Sequence, residues 1–201
     1  MIDSSTGGYL APLPTTPPLE GEALDNFLHD LVAGVTGMDV TRIFPRWQPE
    51  PPNLPPAGTP WCAVGVTSRP SDTYPYIGHQ GAGQGSSQMQ RHETLNILAS
   101  FYDLGAGGQA DALAALFRDG LSISQNREQL MLNGFAFVST GEPLAVPSLL
   151  KERWQYRCDL PFVLRRALVR SYGILNLEEV DATLNTQNPG LTLPVTITPP
   201  E

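Results

Sequence analysis

The sequence predicts an α+β fold: an antiparallel or mixed β-sheet with helices packed on one face, and extended arms at both termini. Two observations predict the sheet, because residues 152–172 and residues 89–102 each contain a long run in which apolar and polar residues alternate. A period of two places one face of a strand in the core and leaves the other face outside it. The third observation is a stretch of strong helix formers at residues 108–117, which supplies the layer that covers the sheet.

The predicted fold is organised around residues 152–172. The apolar residues there occupy alternate positions, at Trp154, Tyr156, Cys158, Leu160, Phe162 and Leu164. The positions between them carry Arg153, Gln155, Arg157, Asp159 and Arg165. This run is longer than the common strand of about 5 to 6 residues, so it needs a partner along its length. Residues 89–102 supply that partner, and we expect the two strands to pair antiparallel or to lie as neighbours in one sheet.

Local patterns predict the other elements. Apolar residues spaced by three and four indicate a helix over residues 19–35, with Gly34 and Gly37 as its stop. Ser124 is expected to be the N-cap of a second short helix over residues 125–132. Short apolar runs predict strands at residues 42–47, 61–67 and 135–139, whereas residues 177–184 are expected to form a short polar helix at best.

The glycine-rich segment at residues 81–87 is the one motif that could indicate a phosphate-binding loop. No lysine follows it, and the residues after it alternate like a strand, so no helix N-terminus is available to hold an anion. We therefore interpret it as a flexible hairpin connection.

The domain organisation follows from the distribution of proline and of apolar residues. Residues 1–18 are rich in proline and glycine and predict an extended N-terminal arm, and residues 19–184 form a single α+β domain. Residues 185–201 predict an extended C-terminal arm. Its alternating apolar residues Leu193, Val195 and Ile197 are typical of an edge strand that could add to the sheet of a neighbouring subunit, and an unstructured tail is the alternative.

Composition excludes several classes of protein. The 201 residues carry a formal net charge of -8, which argues against a protein that holds nucleic acid through a basic surface. No run approaches the roughly 20 apolar residues that span a bilayer, and the N-terminus has no secretory signal, so we expect a soluble protein without a membrane partner. Cys62 and Cys158 lie in predicted strands and are expected to be reduced core residues.

The sequence offers no catalytic residue, no cofactor-binding residue and no metal ligand set. The histidines His29, His79 and His92 are scattered, and none has a second ligand at metal-binding spacing. Carboxylates are not paired, and no nucleophile elbow is present. We therefore expect a protein that is not an enzyme. Two alternatives stay open: a small binding module that recruits a partner through its proline-rich residues 49–56, and a hydrolase that uses His79 and His92.

Five segments together resemble the neck and tail terminator proteins of long-tailed bacteriophages. They are the helix over residues 19–35, the run Trp61-Cys62-Ala63-Val64-Gly65-Val66, the strand over residues 90–97, the helix over residues 110–117 and the closing strand over residues 153–162. The resemblance covers about residues 19–180, and it rests on strand pattern and segment order. Both arms lie outside it.

The resemblance implies a structural virion protein located in the tail or neck and made in the host cytoplasm. It implies a ring, typically a homohexamer, that caps the tail tube and joins it to the head-tail connector around a channel for DNA. The implied partners are other copies of the chain, the tail tube protein, and the sheath and connector proteins, while DNA passes through without specific binding. A head-completion or connector adaptor is the alternative within this class.

Ring subunits meet head to tail, so each needs complementary surfaces. We expect that interface to use polar residues of the two long strands and apolar residues of the C-terminal arm. The candidates are Arg91, Glu93, Arg153, Arg157, Arg165, Arg166, Leu193, Val195 and Ile197.

Overall fold

A computed structural model describes residues 3–5, 7–48, 53, 55–56, 58–103, 108–146, 148–150, 153–176, 180–185 and 192–197. The chain divides into two compact units. The larger unit comprises Thr16–Pro75 and Arg91–Leu168, and the smaller unit comprises Met1–Thr15, Tyr76–Gln90 and Val169–Glu201.

The described residues contain ten strands and three α-helices, with one turn of 3₁₀ helix at Val40–Arg42. The helices are α1 (Gly21–Thr36), α2 (Gln109–Gly120) and α3 (Ser124–Leu132). The strands are β1 (Ile43–Pro45), β2 (Trp61–Ser68), β3 (Tyr76–Gln80), β4 (Ser86–Asp103), β5 (Phe135–Thr140), β6 (Leu144–Ala145), β7 (Ser148–Leu150), β8 (Arg153–Tyr172), β9 (Val180–Asn185) and β10 (Thr192–Ile197).

The main sheet has the strand order β1-β2-β4-β8-β5. Strand β1 is parallel to β2, whereas β2 is antiparallel to β4 and β5 is antiparallel to β8, so the sheet is mixed. The long strands β4 and β8 are hydrogen-bonded neighbours, which confirms the pairing expected from their alternation. The predicted α+β class is therefore confirmed.

Helix α1 forms where the spacing of its apolar residues predicts it. Leu24, Leu28 and Val32 are fully buried on one stripe. The helix ends at Gly37, which adopts the left-handed conformation (φ 70°) and donates its N–H to the Ala33 carbonyl at 2.8 Å. This αL cap is the stop that the sequence predicts at that glycine.

The core of the larger unit lies between the helices and one face of the sheet. Leu95, Ile97, Ala99 and Phe101 of β4 are buried at alternate positions, as are Cys158, Leu160, Phe162 and Leu164 of β8. Phe117 of α2 contacts both strands, with its ring centroid 5.9 Å from that of Phe101 and 5.4 Å from that of Phe162. Both cysteines are free and buried, which confirms the prediction made for them.

The polar face predicted for β8 needs correction. Arg166 shares the phase of the buried residues, and it is 5% exposed, whereas its neighbour Arg165 is exposed. Towards the start of the strand the predicted phase also fails, because Tyr156 is 48% exposed while Gln155 and Asp159 are buried. Adjacent residues of a strand point to opposite faces, so Arg165 and Arg166 cannot share one surface.

Two local predictions are wrong. Residues 180–185 form a strand, β9, where a short polar helix was expected at best, because β10 pairs with them along their whole length. Ser124 is the first residue of α3, and the N-cap is Ile123, which has no side chain that could accept a hydrogen bond. The terminating Asn133 and Gly134 follow α3 as predicted.

The smaller unit contains two hairpins and part of the N-terminal segment. Strand β3 pairs antiparallel with Ser86–Gln90 of β4, which confirms that the glycine-rich segment is a hairpin connection. Strand β10 pairs antiparallel with β9 in a separate two-stranded sheet. The described N-terminal residues have no helix or strand, and they bond to the end of β8: Leu13 donates its N–H to the Ser171 carbonyl at 2.7 Å.

Candidate assembly surfaces

Arg166 is the centre of a charge cluster in the larger unit, which we call the Arg166 cluster (Glu20, Arg69, Glu93 and Arg166). Arg166 Nε donates to Glu93 Oε2 at 2.7 Å, and Nη2 donates to Glu20 Oε1 at 2.7 Å. Nη1 donates to the Leu19 carbonyl at 2.5 Å. The planar guanidinium thereby connects β8 to β4 and to the residues that precede α1, a geometry that lysine could not reproduce.

The two carboxylates of the Arg166 cluster differ in their exposure to water and in the number of their cationic partners. The Glu93 side chain is 12% exposed and forms an ion pair with Arg166, which is 4% exposed, so both charges are largely shielded from water. Glu20 is 49% exposed and also accepts from Arg69 Nη1 at 2.6 Å. Partial burial raises the pKa of Glu20, but the hydrogen bonds and charges of Arg69 and Arg166 outweigh it and leave that pKa below its ordinary value.

Arg157 also has its charge satisfied within the chain. Its Nε and Nη2 donate to the two carboxylate oxygens of Asp159 at 2.7 and 2.6 Å. Asp159 in turn accepts from the Ser100 hydroxyl, and Ser100 accepts from Arg46. The Arg157 guanidinium lies over the ring of Tyr102, 5.7 Å from its centroid. This network joins β8 to β4 through polar side chains.

The predicted interface residues are therefore not gathered in one place. The structure brings Glu93 and Arg166 together, whereas Arg91 donates to the Asp72 carbonyl at 3.1 Å. Arg165 is exposed and forms no ion pair with any described residue. Arg153 is the first residue of β8, and Leu193, Val195 and Ile197 belong to β10. The side chains of these four residues lie outside the described part of the structure.

The smaller unit holds a second polar arrangement, which we call the glycine clasp (residues 81–85 and His79 around Asn176). Asn176 Nδ2 donates to the Gly81 carbonyl at 2.9 Å and to the Gly83 carbonyl at 3.0 Å. Asn176 Oδ1 lies 2.9 Å from His79 Nε2, so this nitrogen carries the proton that forms the bond. The backbone N–H of Asn176 donates to the Gln84 carbonyl at 2.9 Å.

The glycine clasp explains why the hairpin connection is rich in glycine. Gly85 has a φ of 94°, and a Cβ at this position would lie 2.5 Å from Asn176 Oδ1 and 2.6 Å from Asn176 N. Ser4 also donates its N–H to the Gly173 carbonyl at 2.9 Å, three residues before Asn176. Residues near the N-terminus, the hairpin and the end of β8 are thus bonded together. Nothing in the local sequence around Asn176 could have indicated this role, because its partners are more than 90 residues away.

Catalytic and metal chemistry have little support in the described residues. No group of three His, Cys, Asp or Glu side chains among them could hold a metal ion. His29 Nε2 lies 2.8 Å from the Val40 carbonyl, and His79 lies in the glycine clasp. No helix in the described part of the chain is long and apolar enough to cross a membrane. Burial raises the pKa of Cys158 to about 12, with Asp111 adding to the shift, so this thiol is a poor nucleophile.

One cavity lies between α1 and α3 in the larger unit. Its volume is about 410 Å³. The lining is mixed, with Phe27, Leu31 and Leu130 beside Asn126 and Gln129. Asp30 is the only carboxylate among the described residues that line it, and these residues include no pair of titratable groups of the kind an acid-base site needs.

The comparison with protein families agrees with an assembly role. A family model described as phage neck terminator protein matches residues 22–188, which is most of the chain. The chain belongs to the phage neck terminator protein family. No curated protein shows significant similarity to it.

This phage neck terminator protein is accordingly a structural protein of the virion neck, and it interacts with other components of the phage head and tail. The family match contains the Arg157 network, the glycine clasp and β9, and most of the Arg166 cluster. It leaves out residues 1–21, which include Glu20, and residues 189–201, which include β10. Of the residues outside the match, 1–18 and 189–201 belong to the arms that the sequence predicts, and 19–21 belong to the start of the predicted domain.

Proposed function

We propose that this neck terminator protein forms a closed ring of identical subunits, a homohexamer, that caps the tail tube and joins it to the head-tail connector. The ring leaves a channel through which DNA passes without specific binding. Residues 1–18 and 185–201 are the arms of this subunit, and residues 19–184 are its body. The observation that carries the proposal is the family match over residues 22–188.

Charge supports the channel. The chain carries 20 acidic and 12 basic residues. An acidic wall repels the phosphate backbone, so DNA can move past it without the clustered cations that make binding tight. Two of the predicted interface arginines, Arg157 and Arg166, are paired with Asp159, Glu20 and Glu93 of the same chain.

Ion pairs within the subunit support a choice among the residues proposed to contact a neighbouring subunit. Arg166 forms a hydrogen-bonded ion pair with Glu93 inside the subunit, and Arg157 forms one with Asp159. Arg165 remains exposed on β8, so we propose that it is the arginine of the set that contacts a neighbour or the tail tube. We also propose that the C-terminal arm contacts a neighbouring subunit through the apolar residues Leu193, Val195 and Ile197 of β10.

Native mass spectrometry of the purified full-length protein tests the ring. The expected mass is six times the 21.8 kDa of one subunit, and negative-stain images should show a ring with a central opening. The purified protein should also bind isolated tail tubes at one end. A strictly monomeric protein that does not bind tubes would refute the proposal.

Infection with a phage that lacks the gene for this protein tests the joining role. We expect filled heads and separate tails that are not joined, and joining should return when purified protein is added to the lysate. A protein that binds the connector and never the tube would instead be a head-completion adaptor. Deletion of residues 49–56 gives the test for a proline-reading module, because such a module would lose partner binding while ring assembly continued.

A further inference from the structure

Strand β3 has a free edge. Its five residues pair with Ser86–Gln90 of β4 in an unbroken antiparallel register, from Tyr76 opposite Gln90 to Gln80 opposite Ser86. No other described strand pairs with β3, and none of its backbone groups bonds to a described residue outside this hairpin. A row of backbone N–H and C=O groups is therefore available for another strand.

This edge lacks the features that normally prevent a free strand from pairing with another chain. Proteins protect such edges with lysine or other charges, with proline, with bulges or by keeping the strand very short. Residues 76–90 contain no Asp, Glu, Lys or Arg, and β3 contains no proline and no break in register. Strand β1, which ends the main sheet, is protected, because it has three residues and its last residue is Pro45.

The exposed side chains of β3 are those expected in a protein interface. Tyr76 is 71% exposed and Ile77 is 62% exposed. Depletion of charge together with exposed aromatic residues distinguishes the centre of an interface from ordinary surface. A surface of this kind is suited to another protein strand.

We infer that the free edge of β3 pairs with a strand of a second copy of this chain, and that this contact forms between neighbouring subunits of the ring. The inference rests on the proposed function. A second copy is favoured because the chain itself offers a matching edge: β5 ends the main sheet, has six residues against the five of β3, and has no charged residue over Phe135–Thr140. Joining an uncharged edge to another uncharged edge removes no charge from water. Such a contact joins two different surfaces, as closure of a ring requires.

Photo-crosslinking of the full-length protein tests this inference. Tyr76 is replaced by p-benzoylphenylalanine, which keeps an aromatic side chain, and the assembled protein is irradiated. We expect covalent dimers and higher multimers of this chain, with crosslinked peptides that contain a strand edge of the partner copy. The control places the same group at Leu116 of α2, which is 48% exposed and belongs to neither β3 nor β5, and it should give few or no multimers.

Charge at the edge supplies a second measurement. Ile77→Lys replaces an exposed side chain with a charged one, so the subunit should fold normally, as judged by circular dichroism and by its unfolding midpoint. The protein concentration at which half of the subunits are assembled should rise about tenfold or more, whereas Leu116→Lys should leave it unchanged.

Each result bears on one proposal. A wild-type protein that never assembles refutes the ring. A wild-type ring that gives no crosslink from position 76, or that tolerates Ile77→Lys as well as Leu116→Lys, refutes the β3 contact and leaves the ring intact. Crosslinks from position 76 to the tail tube protein alone would also overturn it, because the partner would then be a different protein.

Discussion

Replacing Arg166 with methionine should destabilise the subunit strongly. Methionine keeps an unbranched side chain of similar reach but removes the guanidinium, which leaves Glu93 buried at 12% exposure without its cation. Removing one partner of a buried ion pair costs about 3–5 kcal/mol, because the other charge stays buried and unpaired. Glu20 is 49% exposed and keeps Arg69, so its share is small. We therefore expect the free energy of unfolding to fall by about 3 kcal/mol, at the lower end of that range.

Urea unfolding followed by tryptophan fluorescence measures this loss. Trp61 is buried and stacked on Tyr102, with their ring centroids 3.9 Å apart, so its emission should report unfolding of the larger unit. With a slope of about 2 kcal/mol/M, a loss of 3 kcal/mol lowers the urea midpoint by about 1.5 M. The double variant Arg166→Met/Glu93→Leu should recover much of the loss, because no buried charge remains.

Arg165→Met is the matched control, because it changes the adjacent residue on the opposite face of β8. Arg165 is exposed and unpaired among the described residues, so the free energy of unfolding of the monomer should change by about 0.5 kcal/mol or less. Any larger effect of Arg165→Met should depend on protein concentration, as expected for a subunit contact, whereas that of Arg166→Met should not. A loss of less than about 1 kcal/mol for Arg166→Met would refute the view that its charge is needed inside the subunit.

Two further predictions concern the glycine clasp and acid stability. Gly85→Ala should open the glycine clasp, because the added Cβ would lie 2.5 Å from Asn176 Oδ1, and the Asn176 amide should exchange with deuterium about tenfold faster or more. Since the pKa of Glu20 lies below its ordinary 4.5 in the folded protein, its contribution to stability is complete above that value and disappears as the pH falls through the lowered pKa. Urea midpoints measured from about pH 6 to about pH 3 should therefore fall more for the wild type than for Glu20→Gln.

Controls separate these effects from general destabilisation. Gly34→Ala adds the same methyl group within α1, where no described atom beyond the adjacent residues and the backbone of the helix itself lies within 4 Å of the new Cβ, so stability should be unchanged or rise by up to about 1 kcal/mol. Equal effects of Gly34→Ala and Gly85→Ala on the Asn176 amide would contradict the glycine clasp. A pH profile of Glu20→Gln that superimposes on that of the wild type would show that the Arg166 cluster does not hold Glu20 ionised.

Elements whose signals are local could be predicted from the sequence. The stripe of Leu24, Leu28 and Val32 predicts the buried face of α1, and Gly37 predicts its end. The alternation in β4 and β8 predicts two long neighbouring strands, because a period of two is a property of the strand itself. Residues 180–185 were predicted wrongly although Val180, Ala182 and Leu184 alternate with polar residues, because a run of six residues does not identify a strand by itself and the partner strand, β10, lies beyond it in the chain.

The candidate site could be predicted only in outline. The sequence indicates which arginines lie on β8, and the family resemblance indicates that the protein assembles. It does not indicate that Arg166 points into the subunit, because the phase of a strand depends on which face the helices cover. The roles of Asp159 and Glu20 as ion-pair partners of Arg157 and Arg166 were not predicted, because the local sequence around a carboxylate does not indicate which cation it pairs with.

By itself the sequence determined the fold class, the long strands, the covering helices and the family of this neck protein, since those properties follow from periodicity within short windows and from the order of segments. Tertiary structure alone decided that Arg166 meets Glu20 and Glu93, that Asn176 bonds to the glycine-rich hairpin, and that no second strand among the described residues pairs with β3. The contacts of Arg166 and Asn176 join residues far apart in the chain. Their energies depend on burial and on the geometry of the partner, and neither quantity is present in any one segment.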